Sequence, residues 1–172
     1  MFISRIGDNS AIANQNYLTL LKQGVAVWNQ WRQEHPEIQP DLSRANLSEL
    51  NLDGVNFRNT NLQKAYLNKT SLCQADLSGA NLSKANLSEA YLRKANLRHA
   101  DLSDTYLRNT DLSRANLHGA VLNHAYLNGA ILRCTCLDGA ILSCANLDGA
   151  NFCNTFAVAP YSNPFISIQP LV

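Results

Sequence analysis

Among the residues able to do chemistry, this chain of 172 residues has five cysteines, four histidines and thirteen acidic side chains. Asp104, His124 and Cys144 recur at intervals of 20 and are of types that ligate transition metals. Cys134, Cys136, Cys144 and Cys153 crowd the C-terminal third, and Cys73 stands apart. Five is an odd number, so at least one thiol stays unpaired within a monomer, and a reducing compartment would leave all five free. The sequence contains no zinc-type cysteine spacing, no glycine-rich phosphate loop and no nucleophile-and-base constellation. What the scattered groups can do depends on the elements that carry them.

Those elements are set by an internal repeat. From Asp41 to Asn154 the chain repeats every five residues without an insertion, centred on residue 42 and every fifth residue to 152. All 23 centres are Leu except Phe57 and Phe152. Two residues before the centre stands Ala in 15 repeats and Thr in five, the exceptions being Pro40, Leu50 and Val55. Neither position ever carries a charge. Just before the centre stands Asn or Asp in 14 repeats, and the two residues after it are mostly polar, charged or Gly.

Burying an unpaired charge is prohibitively costly, whereas each buried Leu gains about 1.5–3 kcal/mol. Two inward positions therefore alternate with three outward ones. The order in-out-in-out-out matches neither a flat strand nor a helix, so short extended pieces must be separated by a bend in every repeat. A chain that bends at regular intervals coils, and its coils stack at about 4.8 Å with like residues in vertical ladders. Leu82, Leu87, Leu92, Leu97 and Leu102 are the expected middle of the core. The Asn and Asp before each centre are expected to form a hydrogen-bonding ladder up the face.

Segments such as Ala80-Asn81-Leu82-Ser83-Lys84 and Ala85-Asn86-Leu87-Ser88-Glu89 resemble the A-(D/N)-L-x-x motif of the pentapeptide-repeat family. The resemblance covers about two-thirds of the chain. It implies an all-β solenoid, a right-handed quadrilateral parallel β-helix with four pentapeptides per coil. Residues 41–155 would then form nearly six coils, a rod roughly 28 Å long. Outward Gly at 79, 119 and 139 and Tyr at 66, 106 and 126 agree with a 20-residue coil. On such coils Asp104, His124 and Cys144 lie in one column, a candidate metal site. Parallel side chains on one face converge poorly, however, so no metal and no cofactor is expected. Cys134 and Cys153, 19 apart, become diagonal neighbours and a candidate disulfide.

Both ends of a solenoid need covers. Residues 1–40 form the N-terminal segment, where about 16–34 read as one amphipathic helix with Tyr17, Leu20, Leu21, Val25, Trp28 and Trp31 at helical spacing and His35-Pro36 as its stop. This helix is the expected N-terminal plug. Leu21-Lys22-Gln23-Gly24-Val25 followed by Trp28-Asn29-Gln30-Trp31-Arg32 resembles the leader of many cyanobacterial members. Residues 156–172, apolar and proline-rich, are a C-terminal tail or cap.

A filled axis leaves only flat outer faces, which argues against an enzyme. The expectation is a non-enzymatic protein-protein interaction scaffold, with cyanobacterial signalling or differentiation as the setting the resemblance implies. Its surface is placed on the C-terminal coils at Tyr106, Val121, Tyr126, Ile131 and Ile141, where exposed positions turn aromatic and apolar. The occupant is an unidentified protein partner or a second copy. Some family members imitate duplex DNA and modulate type II topoisomerases, the alternative function. Duplex DNA carries about 16 charges over 28 Å, whereas the repeats hold 11 Lys and Arg against 10 Asp and Glu, so the mimic is disfavoured. Direct nucleic-acid binding is disfavoured too: Arg93, Lys94, Arg114 and Arg133 share a face with Asp53 and Asp111. No stretch approaches the roughly 18 apolar residues that cross a bilayer, and residues 1–12 lack the apolar core of a secretory signal. No membrane association and a cytoplasmic location are expected.

Overall fold

The structure, a computed structural model, describes residues 9–155, with side chains from residue 15 onward. Within the repeats, every residue before a centre is bridged in parallel to the residue 20 further on, from Asp41 with Asn61 to Ile131 with Asn151. Four pentapeptides therefore make one coil. The Leu82 N–H donates upward to Asp101 O at 2.7 Å and the Asn81 N–H downward to Thr60 O at 3.0 Å, the unit from which the stack is built.

Inside, Leu82, Leu87, Leu92 and Leu97 are fully buried and Leu102 nearly so, with Ala80, Ala85, Ala90, Ala95 and Ala100 beside them. Threonine replaces alanine for a specific reason. The hydroxyls of Thr70, Thr105, Thr110 and Thr135 donate to the carbonyl oxygens of Leu47, Leu82, Leu87 and Leu112, each 23 residues earlier in the coil below. Thr60, in the first coil, has no coil beneath it, and its hydroxyl is buried without a partner.

The bend is a turn closed from the alanine N–H back to the centre carbonyl, as from Ala85 to Leu82 at 2.9 Å. Its third residue has positive φ in every repeat: six glycines and seventeen other residues, among them Lys84 at 61° and Glu89 at 61°. Such a φ costs a non-glycine residue about 1–2 kcal/mol, so the ladder and core hold these turns in place.

The asparagines and aspartates do not chiefly form the face ladder that the pattern suggests. In all 14 repeats that have one, its Oδ1 accepts the backbone N–H two residues on, as from Ser83 to Asn81 and from Ser103 to Asp101, each at 3.0 Å. These bonds run along the chain and brace the turn from outside. Amide-to-carboxylate bonds up a column join only Asn61 to Asp41 and Asn96 to Asp76 among the described residues.

Before the repeats, the sequence pattern predicts one helix over about 16–34, whereas the chain forms two: α1 (Asn9–Lys22) and α2 (Val25–Glu34). Gly24, at φ 116° and ψ 160°, lies outside helical space and breaks the run. Helix α2 then lies across the first coil, whose lowest backbone groups have no coil to pair with. Trp28 is fully buried, edge-on to Phe57 at 5.6 Å, and its Nε1 donates to Asn56 O at 2.8 Å. Asn29 donates to Gly54 O and accepts from the Asn56 N–H. Arg32 donates to the carbonyls of Ile38 and Arg58, and its burial pulls the guanidinium pKa below its ordinary value. Tyr17 of α1 packs on Trp28 and Trp31. At the other end Leu142, Leu147 and Phe152 are only half-buried. The expected tail or cap at 156–172 lies outside the described residues.

Candidate interaction surfaces

Nine repeats lack the Asn or Asp brace, and five of them are consecutive: Val121, Tyr126, Ile131, Cys136 and Ile141. Because each repeat turns one corner, these five encircle the rod once, and Ile141 closes the ring above Val121. Ile131 and Ile141 are 37% and 46% exposed. The regular pattern resumes at Asn146 and Asn151, whose Oδ1 atoms again hold their turns. The sequence reading placed this surface on the C-terminal coils; its form as a belt, bounded by braced turns on both sides, emerges only in three dimensions. Tyr106 extends it downward on one face, with its ring parallel to that of Tyr126 at 5.0 Å.

The remaining sequence candidates separate. Asp104, His124 and Cys144 occupy the positive-φ corner of successive coils, at 56°, 57° and 57°, and so share a column. Among the described residues, however, no three His, Cys, Asp or Glu side chains gather closely enough to hold a metal. Cys134 and Cys153 are joined through the backbone, N–H to carbonyl at 3.1 Å, and both are free thiols. Cys134 sits at the positive-φ corner and Cys153 one position before a corner, so the stack does not place their side chains in one column. On the basic face, Arg93 Nε lies 3.9 Å from Asp111 Oδ2, a long contact between an exposed guanidinium and a half-buried carboxylate that contributes little energy yet cancels part of the positive charge.

Two features escaped the sequence reading. His99 and His118 meet edge to face at 5.5 Å, with the His99 ring lying where a side chain at residue 119 would stand, a place left open by Gly119. The other is a notch of about 480 Å³ lined by Lys64, Tyr66, Lys84, Asn86, Tyr106 and Arg108. Its only signal in the sequence is the asparagine that interrupts the tyrosine column.

A sequence profile of pentapeptide repeats matches residues 41–79, 75–114 and 120–156. Together with the four-sided coil, this shows that the chain belongs to the pentapeptide-repeat family, whose members fold as right-handed quadrilateral β-helices. Among solved structures it is similar to QnrB1, a plasmid-mediated fluoroquinolone resistance protein, at 21% identity and TM-score 0.65, over 68% of this chain and 59% of that one. The chain thus spans 59% of the length of that relative. It also matches the pentapeptide-repeat protein Rfr23 from the cyanobacterium Cyanothece 51142, at 28% identity and TM-score 0.47, over 76% and 97% of the two chains. A third match is HetL, a pentapeptide-repeat protein involved in heterocyst differentiation regulation from Nostoc sp. strain PCC 7120, at 34% identity and TM-score 0.28, over 69% and 60%. No curated protein matches. Among the described residues no helix is long and apolar enough to cross a membrane.

Proposed function

We propose that this chain is a non-enzymatic scaffold that binds a protein partner through the belt at Val121, Tyr126, Ile131, Cys136 and Ile141, with Tyr106 extending the contact. The belt carries this reading. Five successive turns give up a bracing hydrogen bond worth about 1 kcal/mol each and carry apolar or aromatic side chains instead, of which Tyr126, Ile131 and Ile141 are exposed. Rigidity supports the same reading, because side chains fixed on a lattice of backbone bonds lose little entropy when a partner docks. The cyanobacterial setting, in signalling or differentiation, rests on the likeness of leader and repeats. Mimicry of DNA finds no support in repeats carrying 11 basic and 10 acidic residues.

The test is parallel affinity capture with the full chain and with an Ile131→Glu/Ile141→Glu variant, whose melting temperatures establish that both are folded. Proteins retained by the parent are expected to be lost by the variant. Recovery of the same proteins on both baits would refute the belt as the docking surface.

A further inference from the structure

The column that carries Tyr66, Asn86, Tyr106 and Tyr126 is a stack of successive bridged residues, and it lacks one rung. Tyr106 and Tyr126 show what a filled rung looks like, with parallel rings 5.0 Å apart and 6° between their planes. At Asn86 the side chain is short and bent back, its Oδ1 holding the Ser88 N–H at 3.1 Å. A slot one aromatic ring deep is left between the exposed rings of Tyr66 and Tyr106. Among the described residues the Asn86 Nδ2 has no partner, and it is available on the slot floor as a donor.

The rim of the slot is positive. Lys64 and Lys84 stand on one side and Arg108 on the other, all exposed and, among the described residues, none in an ion pair. No carboxylate lines it; Asp104 stands one coil above Lys84 in the same corner column, and Glu89 follows the lining Ser88. Aromatic side chains on either side of a gap select a flat π-system, and ammonium and guanidinium groups at its rim select an anion. One chemical class satisfies both demands.

We propose that this notch binds a free nucleotide, the base entering the empty rung between Tyr66 and Tyr106 and the phosphates lying against Lys64, Lys84 and Arg108. The base completes the tyrosine stack, as Tyr126 does one step higher, and its edge meets the Asn86 amide. Stacking of this kind tolerates any base, so the site discriminates by flatness and charge more than by base identity. It lies on the second to fourth coils, below the belt, and does not depend on the reading of the belt.

The experiment is calorimetric titration of the full chain with ADP, with adenosine and inorganic phosphate as half-ligands. Saturable ADP binding is expected, weakened about ten-fold or more when either half is missing. Asn86→Tyr fills the rung with the residue found at 66, 106 and 126, so it is expected to fold cooperatively, with a melting transition lowered by no more than the loss of the single Asn86 brace allows, and to abolish binding. Lys64→Glu/Lys84→Glu, at two exposed positions, is expected to do the same through the phosphates. Ile131→Glu/Ile141→Glu is expected to leave ADP binding untouched, which separates this site from the belt. Absence of ADP binding at millimolar concentration, or equal binding by parent and Asn86→Tyr, overturns the proposal. A ten-residue oligo(dA) bound more tightly than ADP and lost in Asn86→Tyr overturns the free nucleotide as the source and assigns the base to a strand.

Discussion

The third coil (81–100) and the fifth (121–140) have the same interior and different exteriors. Leu82, Leu87, Leu92 and Leu97 are as buried as Leu122, Leu127 and Leu132, with Leu137 at 3% exposure. Before those centres the third coil has Asn81, Asn86, Tyr91 and Asn96, and the fifth has Val121, Tyr126, Ile131 and Cys136. Three of four turns are braced by an asparagine in one coil and none in the other. The coil shape is the same in both, with bridges in register throughout. Backbone ladder and leucine axis therefore specify the fold, and the Asx brace adds stability to a turn that forms without it. What replaces the brace is free to serve a surface.

The largest break in this equivalence comes from the axis, which the two coils share. Leu97→Asp places a carboxylate where nothing can pair with it, at a cost of several kcal/mol, and is expected to abolish the folded signal in circular dichroism. A cooperative melt close to that of the parent would contradict the inward assignment. Next comes the cap. Trp28→Ala removes a fully buried indole and its bond to Asn56 O, for an expected loss of about 3–5 kcal/mol. Its effect is expected to be local, with amide exchange accelerating in residues 41–60 well before the third or fifth coil. Uniform acceleration along the rod would mean that the cap holds the whole stack rather than its first coil.

How much of this was legible in the sequence follows from which physical demands leave a residue signature. Burial does: Leu42 through Phe152 and the small residues two before them announce the axis, because charge is absent at both positions in all 23 repeats. The family resemblance supplied the coil of 20. Backbone conformation leaves a fainter mark, since the positive-φ position holds Lys, Glu, Asn, His, Asp and Cys as well as Gly, and packing enforces what propensity opposes. The helix break at Gly24 was equally hidden, because apolar residues keep helical spacing across it. Asn81 and its equivalents could as well have bonded up the face as along the turn; composition does not distinguish the two, and only the geometry assigns Oδ1 to the N–H two residues ahead. The belt could be read as apolar exposure but not as a ring, because encirclement needs the corner count.

A finer prediction exchanges the exteriors of the two coils. Asn81→Ala removes a brace and is expected to cost about 1 kcal/mol, while Val121→Asn supplies one and is expected to raise stability by up to about 1 kcal/mol. Thermal melts should thus shift in opposite directions although both substitutions are at the same position of the repeat. Shifts of the same sign would remove the Asx bond from the account of why 14 repeats carry Asn or Asp.

The smallest expected effect is also the most specific control. Ser88 follows a centre, and its N–H is held by Asn86 Oδ1; no bond from its hydroxyl is part of the stack. Ser88→Ala keeps the N–H, and with it the brace, and so is expected to change stability by less than about 0.5 kcal/mol. Since Asn86→Ala removes the other partner of that same bond, a melt in which the two substitutions cost the same would show that the serine side chain, rather than the backbone amide, is what the turn depends on.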